Sequence, residues 1–153
     1  MNLESLTYMS TAVHLVTRSE LEHLLMKARA RNLALNVSGV LLYSEGSFLQ
    51  CIEGTPEALN DVFGHICADP LHHHIFELLR DPVEEREFAE WDMAFRSTGP
   101  DHIYSSTEDE LTDRLAAPES AGSATRQLLS AFWNGGMGSR YQAALAGHTQ
   151  TRR

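Results

Sequence analysis

Two apolar runs with a three-residue connection constrain the fold of this chain more than any other feature. Residues 37–43 (VSGVLLY) and 47–52 (SFLQCI) flank the tripeptide 44–46 (SEG), a short glycine-containing connection typical of a β-hairpin. Successive side chains on a strand point to opposite faces of the sheet, and both runs are apolar at successive positions. The hairpin therefore predicts a sheet that is covered on both faces.

Signals on either side of the hairpin predict the order β-α-β-β-α-β-β. They are a strand over residues 3–9, a helix with a capping box at Ser19 and Glu22 that runs to about Asn32, a helix with Thr55 as N-cap and Pro56 at its first position, and strands over 75–79 and 90–96. This order is typical of a ferredoxin-like sandwich. The predicted fold class is α+β, an antiparallel or mixed five-stranded sheet with two helices on one face.

The composition changes after residue 97 toward Ser, Thr, Gly, Pro and acidic residues, which indicates a linker and a helical appendage. Thr107 and Glu110 have the spacing of a capping box. A further helix is predicted from an apolar stripe of Ala124, Leu128, Leu129, Phe132 and Trp133. The predicted organisation is a domain over 1–97, an appendage over 98–140 that covers the second face of the sheet, and a loosely held tail over 141–153.

Composition and charge disfavour several classes of function. With 12 Lys and Arg against 21 Asp and Glu, the net charge is −9 at pH 7, so neither nucleic acid nor an anionic membrane surface is an expected partner. No apolar run approaches the roughly 20 residues that cross a bilayer, and the N-terminal residues lack a signal-peptide pattern, so a cytoplasmic protein is expected. Cys51 and Cys67 form no C-x-x-C pair and are predicted to be reduced thiols in the core.

A glutamine interrupts the apolar pattern of the second hairpin strand. Gln50 shares a face with Phe48 and Ile52, and a buried amide without a partner costs about 1–3 kcal/mol. Tyr8 of the first strand and Asn32 near the end of the first helix are predicted to point into the same space. A tyrosine, a glutamine and an asparagine that face inward predict a polar, planar ligand within the core.

Four stretches in this order and spacing resemble the BLUF family, the flavin-binding blue-light sensors. They are LTYMSTA, ARARNLALNVSGVLLYSEGSFLQCIEG, ICADPLHHH and FAEWDMAF. The resemblance covers about residues 3–95, nearly two-thirds of the chain. It implies a ferredoxin-like fold that holds an isoalloxazine ring between the first two helices.

The resemblance implies roles for individual residues. Tyr8 matches the family's photoactive tyrosine, Gln50 its switch glutamine between the phenol and the flavin, and Asn32 the amide that holds the polar edge of the ring. Trp91 and Met93 share one face of the predicted fifth strand and are expected to point toward the helices. They match a pair whose placement relative to the flavin is thought to change with the signalling state. Light is expected to rearrange the hydrogen bonds of the glutamine amide, with no substrate consumed.

The expected cofactor is flavin, with FAD preferred over FMN. Arg31 stands where some relatives have a second asparagine, and Leu71 stands where many have a basic residue near the phosphate end of the flavin. Lys27, Arg29 and Arg31 of the first helix are expected to supply positive charge there. His72 is assigned to the same cofactor site.

The favoured hypothesis is a photosensory module without an enzymatic domain. It would pass the rearrangement through the strand at 90–96 and the C-terminal helices to a partner protein or to another subunit of a homo-oligomer. A small ferredoxin-like enzyme that binds flavin or phosphate is the alternative, although the sequence shows no glycine-rich phosphate loop and no nucleophile beside a base. A third hypothesis is an assembly protein whose flavin pocket has decayed. The run His72-His73-His74 does not predict a metal site, because consecutive histidines point in different directions.

Overall fold

Within the described part of the chain, the fold is a five-stranded sheet with helices on both faces. The structure is a computed structural model and describes residues 2–97, 108–115 and 123–135. In chain order its elements are β1 (Leu3–Ala12), α1 (Arg18–Ala34), β2 (Ser38–Ser44), β3 (Ser47–Gly54), α2 (Pro56–Ala68), β4 (His72–Val83), β5 (Ala94–Ser97), α3 (Glu108–Leu115) and α4 (Ala124–Gly135).

The strand order is β4-β1-β3-β2-β5, and all neighbouring strands are antiparallel except β2 and β5, which are parallel. Helices α1 and α2 pack on one face, which confirms the predicted ferredoxin-like α+β fold. The β2–β3 hairpin turns at Glu45 and Gly46, whose φ angles are 49° and 82°. Positive φ at both positions is the signature of a type I′ turn, whose twist matches that of the flanking strands.

The two helices on this face begin at threonine caps. Thr17, rather than the predicted Ser19, caps α1: its hydroxyl accepts from the Glu20 N–H at 3.2 Å, and the Glu20 carboxylate accepts from the Thr17 N–H at 3.0 Å. The predicted capping box at Ser19 and Glu22 is wrong because the T-x-x-E spacing two residues earlier satisfies the first free amides of the helix. The prediction for α2 is confirmed, since Thr55 is its N-cap and Pro56 its first residue.

The sheet separates two hydrophobic cores. The core toward α1 and α2 contains Leu6, Tyr8, Leu21, Leu25, Phe48, Ile52, Leu59, Met93 and Phe95, among others. The core toward α3 and α4 contains Met9, Val40, Leu42, Leu49, Cys51, Phe88, Trp91, Leu111, Leu129 and Phe132, among others. The hairpin is therefore covered on both faces, and the C-terminal helices supply the second cover.

The predicted fifth strand is too long, and its predicted side-chain alternation is wrong. β5 begins only at Ala94. Before it the chain turns, because the Trp91 N–H donates to the Phe88 carbonyl at 3.1 Å while the Trp91 carbonyl accepts from the Gly39 N–H at 3.0 Å. Strand alternation does not hold through a turn. Trp91 consequently lies in the core beneath α3 and α4, and Met93 lies in the opposite core.

Other differences from the sequence predictions are smaller. β4 extends over twelve residues and includes the three histidines as its first residues, whereas the prediction gave it only 75–79. Cys51 is buried as predicted, but Cys67 is exposed, so the prediction that both thiols lie in the core is wrong for Cys67. Thr107 and the predicted tail over 141–153 lie outside the described residues. None of the described helices has the length and apolar character needed to cross a membrane.

Candidate functional site

A cavity of about 430 Å³ lies between α1, α2 and the centre of the sheet. This volume is within the range of small-molecule and cofactor sites. Residues from α1, β3, α2 and the start of β4 line it, and they include Leu24, Lys27, Ala28, Arg31, Phe48, Gln50, Ile66, Leu71 and His72, together with Tyr8 of β1. Two central strands and two helices thus hold the walls of the cavity in place.

Tyr8 and Gln50 form the polar floor of the cavity. They are directly opposite each other on the antiparallel strands β1 and β3, so their side chains share a face. The Tyr8 hydroxyl donates a hydrogen bond to Gln50 Oε1, and Gln50 Nε2 lies 3.4 Å from Met93 Sδ, a weak acceptor. The structure therefore brings the phenol, the amide and the thioether together in a short chain of contacts.

Burial fixes the protonation state of the Tyr8 phenol. The side chain is 3% exposed, and desolvation raises its pKa far above the ordinary value, outweighing the opposing effect of the Arg31 charge. Tyr8 is therefore a neutral O–H donor at every physiological pH. Its ring contacts Phe63 of α2 at a centroid distance of 5.6 Å.

Asn32 has a free acceptor in the same region of the core. Its Nδ2 donates to the Asp92 carbonyl at 2.8 Å, whereas its buried Oδ1 has no hydrogen-bond partner in the structure. The side chain is completely buried. A buried acceptor without a donor costs about 1–3 kcal/mol. Asn32 is not among the residues that line the cavity, however, so the structure does not place this acceptor on the cavity wall.

Positive charge from α1 borders the cavity at Lys27 and Arg31. The Nε of Arg31 is buried and has no hydrogen-bond partner in the structure. Arg29 is not among the cavity-lining residues; its Nε instead donates to the Met93 carbonyl at 3.1 Å. The three cations predicted from the sequence thus divide into two at the cavity and one at the turn before β5.

His72 is held at the cavity wall by one hydrogen bond at each of its two ring nitrogens. Its Nε2 lies 2.6 Å from the Ile66 carbonyl, which can only accept, so Nε2 carries the proton. Its Nδ1 then accepts from the Ser10 hydroxyl at 2.7 Å. The ring meets the rings of Tyr8 and Phe48 edge-on. Among the described residues, no group of three or more His, Cys, Asp or Glu side chains gathers into a metal site.

Trp91 does not reach the cavity. It is stacked on Phe88 at a centroid distance of 6.0 Å, and the Arg114 guanidinium lies 4.2 Å above its ring. The sequence predictions also omitted Ser10 and Phe63 from the site, where they contact His72 and Tyr8. Ser10 lies two residues after Tyr8 on β1 and opposite Phe48 of β3, so strand alternation alone would have placed it on the cavity face.

Comparison with known proteins places this geometry in a family. Residues 3–94 match the family model described as BLUF, sensors of blue-light using FAD. The chain is 35% identical over 92 residues to the photoactivated adenylate cyclase subunit beta of Euglena longa, covering 60% of this chain and 11% of that protein. It therefore spans about a tenth of the length of this curated relative.

Two solved structures align with a larger share of the chain than the family model covers. The dark-state structure of BlrB, a BLUF protein, aligns with a TM-score of 0.64 and 31% identity over 83% of this chain and 95% of that one. BlrP1 of Klebsiella pneumoniae, solved with FMN and cyclic diGMP, aligns with a TM-score of 0.69 and 32% identity over 88% of this chain and 35% of that one. The tyrosine, glutamine and cavity lie within the matched region, and the chain belongs to the BLUF family of flavin-based blue-light sensors.

Proposed function

We propose that this chain senses blue light by rearranging the hydrogen bonds between Tyr8, Gln50 and a flavin held between α1 and α2. The observation that carries this proposal is the buried Tyr8–Gln50 hydrogen bond at the floor of a cavity of about 430 Å³. Both side chains are nearly inaccessible, at 3% and 4% exposure, so the pair can respond only to what occupies the cavity.

The residues present suit a flavin. Gln50 Nε2 offers a donor to the polar edge of a planar ring at the cavity floor. We assign Asn32 to the same edge from the family likeness; its Oδ1 has no partner, although Asn32 is not among the cavity-lining residues. Lys27 and Arg31 supply positive charge toward a phosphate. FAD is the proposed cofactor because the family is described by it, and FMN is the alternative because a related structure contains it.

The flavin would supply light absorption and an excited state that accepts an electron. The chain supplies the phenolic proton of Tyr8 and the side-chain amide of Gln50. Tyr8 holds its phenolic proton toward Gln50 Oε1, and the amide has a donor and an acceptor at opposite ends of one plane. A half-turn of the amide exchanges these ends, so the Tyr8 hydroxyl would then face an N–H₂ group and act as the acceptor.

The rearranged network can be passed on because Met93 contacts the amide. Met93 precedes β5 and lies two residues after Trp91, which packs beneath α3. In a low-dielectric core, a changed hydrogen bond can bias a nearby two-state contact by a modest free energy. We assign the output to a protein partner or a second copy of the chain that contacts the appendage, in a cytoplasmic setting, with residues 1–97 as the sensing domain and 98–140 as the appendage.

An absorption measurement tests the proposal. The purified protein should carry flavin, and blue light should move the flavin band reversibly to longer wavelength. Gln50→Leu should abolish the shift while flavin remains bound. The matched control is Cys51→Ala, the next residue on β3, whose side chain faces the opposite core, and this variant should keep the shift. A protein that cannot be loaded with flavin, or a Gln50→Leu variant with a normal shift, contradicts the proposal.

A further inference from the structure

The segment at residues 86–93, which we call the bridge segment, is held from three directions. From α1, Asn32 donates to the Asp92 carbonyl and Arg29 to the Met93 carbonyl, and Met93 Sδ contacts Gln50 at the cavity floor. From the appendage side, Arg114 donates to the Glu87 carbonyl at 3.2 Å and also pairs with Glu90. The bridge segment therefore contacts both the site and the appendage.

The third attachment is a buried carboxylate on β3. Glu53 is 2% exposed, and its two oxygens accept from the backbone N–H groups of Glu87 and Phe88 at 2.8 Å and 3.0 Å. The Ser38 hydroxyl donates to the same carboxylate at 3.2 Å. A carboxylate that accepts from two adjacent amides, and is itself held by a hydroxyl, fixes the backbone there more tightly than a single hydrogen bond does.

Arg86 reinforces the same attachment without pairing with the carboxylate. Its guanidinium donates to the Ser38 hydroxyl, the Glu53 carbonyl and the Asn36 carbonyl, at 2.6–3.1 Å. Arg86 thus ties the start of the bridge segment to Glu53 of β3, to the Ser38 hydroxyl of β2 and to Asn36 just before β2. The Glu53 side chain holds the next two residues of the segment, Glu87 and Phe88. Both ties come from the two central strands that form the hairpin.

Gln50 and Glu53 lie three residues apart on the same strand, so their side chains point to opposite faces. Gln50 faces the cavity, and Glu53 faces the core that contains Phe88 and Trp91. One rigid central strand therefore presents the switch amide on one side and the attachment of the bridge segment on the other. The two reach the same segment from different sides, through Met93 and through Glu87 and Phe88.

The appendage is attached to the same residues that Glu53 holds. The Ser123 hydroxyl, just before α4, donates to the Glu87 carboxylate at 2.8 Å. Arg126 of α4 donates to the Arg114 carbonyl of α3 at 3.0 Å, which joins the two helices. A displacement of Glu87 would therefore be felt by both α3 and α4.

We infer that Glu53 is a positioning residue that couples the flavin site to the appendage, by fixing the bridge segment so that movement of Met93 is delivered to α3 and α4. The inference rests on the proposed function. Burial raises the pKa of the Glu53 carboxyl, against the lowering effect of the Glu87 and Phe88 amides. An ionised group at this position thus depends on its donors, and an amide in its place would turn an N–H₂ group toward a backbone N–H.

The test is Glu53→Gln in the full chain loaded with flavin, followed by absorption and by hydrogen exchange of individual amides. The red shift should persist, because Tyr8 and Gln50 are untouched. Exchange at the Glu87 and Phe88 amides should accelerate at least about tenfold in the dark, since their acceptor is impaired. The light-induced change in exchange over residues 108–115, present in the wild type, should disappear.

Two further variants support the interpretation. Glu85→Gln makes the same change at an exposed residue just before the bridge segment and should leave exchange and light response at wild-type values. Ser38→Ala removes one of the three donors and should give an intermediate acceleration, which keeps the test open if Glu53→Gln fails to fold. Wild-type exchange and light response in both Glu53→Gln and Ser38→Ala would overturn the inference, as would loss of the red shift in Glu53→Gln.

The experiment separates this inference from the proposed function. Wild-type protein without a red shift would refute the proposed function, and dark exchange at Glu87 and Phe88 would still decide whether Glu53 fixes the bridge segment. A wild type that shifts to the red but shows no light-induced change over 108–115 would refute the coupling while leaving the light response of the flavin site intact.

Discussion

The two faces of the sheet bury different kinds of surface. The face toward α1 and α2 encloses a cavity with Tyr8 and Gln50 on its floor and Lys27 and Arg31 at its border. The face toward α3 and α4 is packed with hydrocarbon such as Leu49 and Phe132 around Trp91. One face is incomplete without a ligand, whereas the other is completed by the chain's own helices.

This difference shows how one sheet can serve both binding and transmission. A cavity leaves polar groups poised for a guest at a cost in stability, and a close-packed core responds to displacement because its side chains cannot rearrange freely. The bridge segment lies where the two environments meet. Changes on the packed face should therefore alter stability, and changes on the cavity face should alter flavin binding.

The largest expected effect is on the packed face. Phe132 of α4 is 1% exposed, so Phe132→Ala should lower the free energy of unfolding, or of local opening of α4, by about 3–5 kcal/mol. Flavin binding and the red shift should remain, because the cavity lies across the sheet. Phe76→Ala is the control, since Phe76 is 48% exposed. Urea unfolding followed by circular dichroism measures both, and an equal loss in the two variants would contradict the comparison.

The next largest effect is expected on the cavity face, where flavin affinity should change and stability should not. Ala28 of α1 lines the cavity and is 5% exposed. Ala28→Leu adds three carbons where the flavin should lie, so flavin affinity should fall by about 1–3 kcal/mol, roughly 5- to 150-fold, with little change in the stability of the flavin-free protein. Ala30→Leu, on the exposed face of the same helix, should bind flavin normally. Fluorescence titration with flavin distinguishes these outcomes.

A smaller effect is expected at the rim of the packed face. Arg114 lies above the Trp91 ring and pairs with Glu90. Arg114→Gln should cost about 1 kcal/mol, chiefly from the lost cation–π contact, and should shift the Trp91 fluorescence. Arg18→Gln removes a solvent-exposed pair on α1 and should cost less than about 0.5 kcal/mol. Comparable losses in both variants would show that the contact with Trp91 contributes nothing specific.

Much of the cavity face could be predicted from the sequence. Gln50 stands out because it breaks an apolar strand, and period-two alternation places it beside Phe48 and Ile52 without knowledge of the fold. The resemblance to a family then linked Gln50 to Tyr8, which lies 42 residues earlier and forms a cross-strand pair with it. The local pattern placed Gln50 and Tyr8 on the face toward the helices, and the family likeness supplied the hydrogen bond between them.

The packed face was less predictable because its contacts depend on a turn. Trp91 and Met93 are two residues apart, and alternation along a strand placed them on one side. The hydrogen bond from the Trp91 N–H to the Phe88 carbonyl reverses that relation. Glu53 was missed for a related reason: in the sequence it is one more acidic residue at the end of a strand, and its donors come from amides 34 and 35 residues later.

The smallest expected effect is that of pH on the buried phenol of the cavity face. Burial raises the Tyr8 pKa above its ordinary value of 10.0. For a group whose pKa is higher in the folded state, the stabilising contribution is fully present below the unfolded value and is lost as the pH rises through the folded one. Between pH 6 and 9 both states keep the proton. The Tyr8 contribution to the free energy of unfolding should therefore be constant there, and so should the amplitude of the red shift. Stability should fall above about pH 10, where the unfolded chain ionises.

Tyr8→Phe provides the reference for unfolding, because it lacks this titration. A red shift whose amplitude declines with a midpoint below pH 9 would mean that the phenol is far less buried than the structure places it.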